Sequence, residues 1–127
     1  MATMPSEILE RAGVINQQFL AAADTMARTG LFPAQERALV EAGILRGESA
    51  CVMGPPGMGK SLIGDLAAIS AVSAGKSVLY LFPTRALLRE RALCIQNVFQ
   101  GLPVRIVAIG TNDGEGEDQI FGGTVDV

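Results

Sequence analysis

The chain has 127 residues, of which 49% are hydrophobic and 18% charged, so it can fold around an apolar core of its own. Its formal net charge of −3 argues against a uniformly basic protein that coats nucleic acid, because neutralising phosphates needs clustered lysine and arginine. The sequence contains no histidine, which excludes a serine–histidine triad and a histidine-ligated zinc site within these residues.

Targeting and cysteine patterns give two further expectations. No apolar run approaches the ~20 residues needed to cross a bilayer, and no basic segment precedes an apolar signal core. We therefore expect an intracellular protein, cytoplasmic or, in a eukaryote, nuclear, with no membrane partner. Cys51 and Cys94 lack CxxC spacing, which is typical of small buried side chains rather than of a disulfide or a metal pair.

The predicted elements begin with helices. Apolar residues recur at three- and four-residue spacing through residues 1–30, which predicts an N-terminal helical segment that stops at Gly30. A second helix is predicted from Pro33 to Gly43, because a proline in the first turn of a helix loses no hydrogen bond.

Strands and helices alternate in the rest of the chain. Apolar runs over residues 49–53, 78–82 and 104–109 predict buried strands, and amphipathic patterns over residues 60–74 and 85–100 predict the helices between them. This alternation predicts parallel strands joined by right-handed crossovers. The stretch at residues 110–123, rich in glycine and acidic residues, predicts a surface loop.

A glycine-rich motif separates the first predicted strand from its helix. Residues 54–61 fit G-x-x-x-x-G-K-[ST], whose backbone N–H groups surround a phosphate at the positive end of the following helix. In this motif the Lys60 ammonium binds the β- and γ-phosphates, and the Ser61 hydroxyl is a ligand of Mg²⁺. The predicted nucleoside triphosphate site consists of Gly54, Pro55, Pro56, Gly57, Met58, Gly59, Lys60 and Ser61.

The segment upstream of this motif resembles the Q motif of superfamily 2 helicases, the DExD/H-box class. Phe32-Pro-Ala-Gln35 looks like that short helix, whose glutamine reads the adenine edge. A side-chain amide suits the task, since it can donate to N7 and accept from the 6-amino group at once. The resemblance implies that Phe32 and Gln35 bind adenine. The alternative is that Gln35 is an exposed helix residue.

The segment at residues 82–90 is similar to motif Ia of the same family, which grips the sugar-phosphate backbone of the tracked strand. A hydroxyl, an arginine and helix N-terminal N–H groups are suited to phosphate contact. The resemblance implies that Pro83, Thr84, Arg85 and Arg89 bind single-stranded DNA or RNA. The alternative is that Arg85 and Arg89 are solvated charges on a helix face.

The resemblance covers residues 31–127 and implies a partial RecA-like P-loop NTPase domain, an α/β three-layer sandwich with a parallel sheet, after an N-terminal extension at residues 1–30. It implies ATP and Mg²⁺ as cofactors, Lys60 and Ser61 as catalytic residues, and Ser61 as the metal ligand. Neither Asp113 nor Asp126 directly follows a run of strand residues, so the family's acidic Mg²⁺-binding pair is not identified.

We therefore expect the N-terminal piece of an ATP-dependent helicase, which binds ATP but does not hydrolyse it without the acidic pair and the second RecA-like lobe. The spelling of residues 54–61 also resembles superfamily 1 helicases and AAA-type ATPases. An AAA-type or other P-loop ATPase is thus one alternative. A non-catalytic nucleotide-binding adaptor is another.

Overall fold

The structure, a computed structural model, describes residues 3–55, 57, 59–109 and 119–121, the last three by their backbone alone. The chain divides into two units, Met1–Ala74 and Gly75–Val127. Among the described residues, no helix combines the length and the apolar character that a bilayer crossing requires.

Helices build the first unit. They are α1 (Pro5–Arg11), α2 (Gln17–Met26), α3 (Pro33–Val40), a 3₁₀ turn (Ile44–Arg46) and α4 (Lys60–Ser73). The predicted N-terminal helical segment is thus two helices, and the chain between them includes Gly13, whose φ of 107° no helix interior accommodates. Asn16 starts α2, because its side-chain oxygen accepts from the backbone N–H of Gln18 at 2.8 Å. Pro33 opens α3, as predicted.

The core of the first unit surrounds α4. Helices α1, α2 and α3 all contact α4, and α1 also packs on α2. Leu66 and Ile69 of α4 are fully buried. Burying such a side chain contributes about 1.5–3 kcal/mol to folding, so this packing holds α4 against the other helices of the unit. The other buried apolar residues of this unit are Ile8, Leu9, Val14, Phe19, Leu20, Ala23, Leu31, Leu39, Ile63 and Ala68.

The second unit contains α5 (Arg85–Val98), β1 (Ile106–Ala108) and β2 (Gln119–Phe121). Helix α5 packs against β1. The two strands pair antiparallel, with Val107 opposite Ile120. Ala92, Phe99, Leu102 and Val104 are the buried apolar residues of this unit.

The predicted parallel sheet is not present among the described residues. Only the run at residues 104–109 contains a strand, and its partner β2 is antiparallel and lies within the stretch predicted to be a loop. Residues 49–53 and 78–82 are not strands, and Met53, Leu79 and Leu81 are more than four-fifths exposed. A strand depends on paired neighbours as much as on its own residues, so apolar runs alone did not predict the pairing.

Both cysteines are free and exposed, so the prediction that they are buried is wrong. Cys51 belongs to the unpaired run at residues 49–53. Cys94 lies two residues after the buried Ala92 on α5, which places it on nearly the opposite side of the helix.

Candidate functional site

The first part of the candidate site is the turn that leads into α4. Gly59 precedes the helix with φ of 85° and ψ of 33°, a left-handed conformation that favours glycine. A Cβ atom at Gly59 would also collide with the side-chain amide nitrogen of Gln35. Gly57 has a φ of 88°, but a Cβ atom there would meet open space. Position 59 thus requires glycine for two separate reasons, and position 57 for one.

Lys60 bends back over this turn. Its Nζ atom donates to the carbonyl oxygen of Gly54 at 2.6 Å, so the side chain reaches from the first residue of α4 to the start of the loop. Lys60 and the adjacent Ser61 are both exposed. Among the described residues, no side chain caps the N-terminus of α4. The arrangement therefore combines an exposed positive charge, a hydroxyl and the positive end of a helix dipole, the components of an anion site.

Gln35 joins α3 to this turn. Its side chain is buried, its Oε1 accepts from the backbone N–H of Phe32 at 2.8 Å, and its Nε2 donates to the carbonyl oxygen of Gly59 at 3.2 Å. The alternative interpretation of Gln35 as an exposed helix residue is therefore wrong. Phe32, directly before α3, is 58% exposed. The structure thus brings Phe32, Gln35, Gly59 and Lys60 into one region of the first unit.

Part of the predicted site lies outside the described residues. Pro56 and Met58 of the loop belong to this group, as do the two candidate acidic residues Asp113 and Asp126. In the portion of the chain that the structure describes, no three histidine, cysteine, aspartate or glutamate side chains cluster as a metal site would require.

The predicted strand-contacting residues lie at the start of α5, in the second unit. Thr84 caps this helix, because its hydroxyl oxygen accepts from the backbone N–H of Leu87 at 3.1 Å. Pro83, Thr84 and Arg89 are exposed, whereas Arg85 is half-buried. Arg89 therefore has the solvent access that a phosphate contact needs, and the interpretation of Arg85 as a fully solvated charge does not fit its burial.

Two contacts in the first unit, one of them at the site, were not predicted from the sequence. The hydrogen bond between Gln35 and Gly59 joins residues that are 24 positions apart, and no spacing rule signals it. The second contact could have been suspected from the position of Asp24. A carboxylate in the last turn of a helix interacts unfavourably with the helix dipole, and a hydrogen-bond donor outside the helix offsets this. For Asp24 this donor is the backbone N–H of Ser6, 2.8 Å from its Oδ1.

The comparisons with known proteins define the class. The DEAD/DEAH box helicase family matches residues 32–126. This chain belongs to that family.

The individual proteins that this chain matches have a more specific name than the family. The chain is similar to proteins named ATP-dependent DNA helicase Hel308. The one from Pyrococcus horikoshii is 34% identical over 94 residues, which cover 73% of this chain and 13% of that protein. The one from Pyrobaculum calidifontis is 35% identical over 89 residues, 70% of this chain and 12% of that protein. The one from Caldivirga maquilingensis is 34% identical over 93 residues, 72% of this chain and 12% of that protein. The chain thus spans about an eighth of the length of these relatives. No solved structure gives a significant match.

Proposed function

We propose that this chain is the ATP-binding portion of a nucleic-acid-dependent helicase motor, the front part of a RecA-like domain. One observation carries the proposal: in a member of the DEAD/DEAH box family, the Lys60 ammonium lies over a glycine turn at the uncapped N-terminus of α4. The Lys60 ammonium, the Ser61 hydroxyl and the N-terminal amides of α4 all belong to this one short segment. The match to this family favours a helicase over an AAA-type ATPase.

The residues present fit ATP and Mg²⁺. To bind a γ-phosphate, the Lys60 ammonium exchanges the neutral Gly54 carbonyl for phosphate oxygens, so that both the donor and the acceptor of the hydrogen bond are charged. The backbone N–H groups at the start of α4 add donors that point at the same anion. The exposed Ser61 hydroxyl would hold Mg²⁺, which neutralises phosphate charge when it is bound.

The adenine end of the nucleotide would contact Phe32 and Gln35. The Gln35 amide has one N–H committed to Gly59 and one lone pair committed to Phe32, so one N–H and one lone pair remain. These remaining groups match N7 and the 6-amino group of adenine. Because Gln35 is buried, its contact with adenine requires a small opening of the turn. The exposed Phe32 ring offers a flat apolar face beside it.

The second unit would contact the tracked strand. Arg89 supplies an exposed charge for phosphate, and Pro83 and Thr84 directly precede Arg85, the first residue of α5. The relatives are named DNA helicases, which favours single-stranded DNA as the partner. In the whole protein a second RecA-like lobe completes the motor, and work on nucleic acid with ATP as fuel implies an intracellular location.

Calorimetry of ATP·Mg²⁺ binding tests this proposal. The chain should bind ATP, and Lys60→Ala should remove the binding, whereas the exposed Lys76→Ala serves as a control for the loss of one positive charge. ATP binding that survives Lys60→Ala would refute the phosphate site. If the whole protein hydrolyses ATP without stimulation by DNA, the alternative of another P-loop ATPase is correct instead, and if it binds ATP without hydrolysing it, the adaptor alternative is correct.

A further inference from the structure

The N-terminal segment of the chain is hydrogen-bonded to the candidate adenine residues. The backbone N–H of Leu31 donates to the carbonyl oxygen of Thr3 at 2.8 Å. The next backbone N–H, that of Phe32, donates to Gln35, and Gln35 in turn donates to Gly59. A path of hydrogen-bonded groups therefore runs from Thr3, two residues before α1, to the turn before α4.

One side chain ties α1 to α2 within this segment. Oδ1 of Asp24, in the last turn of α2, accepts from the backbone N–H of Ser6 in the first turn of α1, and this bond is partly buried. The carboxylate thereby satisfies one of the α1 amides that have no partner within the helix. Ile8 and Leu9 of α1 and Phe19 of α2 are buried, and both helices contact α4. The bond therefore holds the first turn of α1, and Ser6 in that turn lies only three residues after Thr3.

We propose that α1 and α2 position the adenine side of the nucleotide site, with Asp24 as the positioning residue that holds them. Both helices lie outside the part of the chain that the family matches, residues 32–126. The inference rests on the proposed nucleotide binding and extends it to a segment to which no binding role is assigned.

The geometry separates the adenine side from the phosphate side. Leu31 is buried and held by Thr3, and the following residue, Phe32, presents its ring to solvent. Helix α1 keeps its buried Ile8 and Leu9 when the Asp24 bond is lost, but its first turn is no longer held, which loosens Thr3 and its bond to Leu31. Helix α3 keeps its own packing on α4, so the bond between Gln35 and Gly59 persists. The phosphate turn is thus less affected than the adenine side.

The test compares two ligands in three variants of the 127-residue chain. Asp24→Ala removes the acceptor, Asp24→Asn keeps a side-chain oxygen in its place, and Glu10→Ala removes an exposed carboxylate from α1 as the control. By calorimetry, Asp24→Ala should weaken ATP binding about threefold to tenfold, because a smaller fraction of molecules holds the competent geometry. Binding of inorganic tripolyphosphate should change less than about twofold. Asp24→Asn should restore ATP affinity, and Glu10→Ala should leave it unchanged.

The outcomes distinguish this inference from the proposed function. Equal weakening of ATP and tripolyphosphate would mean a general loss of stability and would overturn the inference, as would unchanged ATP binding by Asp24→Ala. Binding of ATP that is indifferent to Lys60→Ala would refute the proposed function instead. If Asp24→Ala does not fold, hydrogen exchange on the unmodified chain decides: ATP should slow exchange at the Ser6 amide, which is bonded to Asp24, as well as at the Leu31 amide, and tripolyphosphate should not. Equal protection by both ligands would overturn the inference.

Discussion

The side-chain amide of Gln35 donates to the carbonyl oxygen of Gly59 at 3.2 Å, so a helix and a turn 24 residues apart share one hydrogen bond. The bond explains why Gly59 is crowded: the same amide nitrogen occupies the space that a Cβ atom would need. Substitutions at these two positions should therefore not act independently, since they share a contact.

Gly59→Ala should destabilise the first unit more than Gly57→Ala does. Both residues have a positive φ, which costs an L-residue about 1–2 kcal/mol, but only position 59 adds a collision with Gln35. Loss of helix signal in urea, followed by circular dichroism, measures the difference. In a Gln35→Ala background the excess cost of Gly59→Ala should shrink. Equal costs at the two positions in both backgrounds would contradict the contact.

Gln35→Ala should weaken ATP binding more than it weakens tripolyphosphate binding. The substitution leaves the N–H of Phe32 and the carbonyl of Gly59 without their partner, which perturbs the turn for either ligand. Only ATP also loses a contact to its base. Calorimetry with both ligands checks this, and Gln18→Ala, at an exposed position of α2, is the control. Identical losses would show that Gln35 acts only through Gly59 and does not read adenine.

Local signals predicted the elements that begin at a distinctive residue. Pro33, Gly59 and Thr84 precede or open α3, α4 and α5, and each acts through its own backbone or side-chain chemistry. The strand pairings were not predictable in the same way, because β1 pairs with residues in a stretch whose composition indicates a loop. The contacts of Gln35 and Asp24 also depend on packing between distant segments. The sequence thus indicated the residue types of the candidate site, whereas the contacts between distant residues became evident only in the fold.

Phosphate release by the 127-residue chain should stay at the uncatalysed background even when ATP is bound. Among the described residues no acidic cluster is available to complete a metal site beside Ser61. The absence of an arginine finger alone lowers the rate of hydrolysis by about 10³- to 10⁵-fold. A phosphate assay over hours, with Lys60→Ala as the blank, checks this. Removal of Mg²⁺ by chelation should weaken ATP binding without changing the rate. Release that depends on Lys60 would show that a catalytic carboxylate is present, and Asp113 and Asp126 would be the first residues to substitute.

Arg89→Ala in the whole protein should weaken binding of single-stranded DNA and lower the salt dependence of that binding by about one unit. Arg89 is exposed on the first turns of α5, where an arginine that neutralises one phosphate releases the counterions that the phosphate had condensed. The preference of the protein among DNA sequences should not change, because contacts to phosphate do not distinguish one base from another. Arg28→Ala, an exposed arginine of the first unit, is the matched control. Arg85→Ala should reduce the slope in the same way if that half-buried side chain also reaches phosphate, and a smaller change would assign it to packing. Fluorescence anisotropy at a series of salt concentrations gives both slopes. A slope that is the same for the unmodified protein and Arg89→Ala would exclude the start of α5 as a contact of the tracked strand.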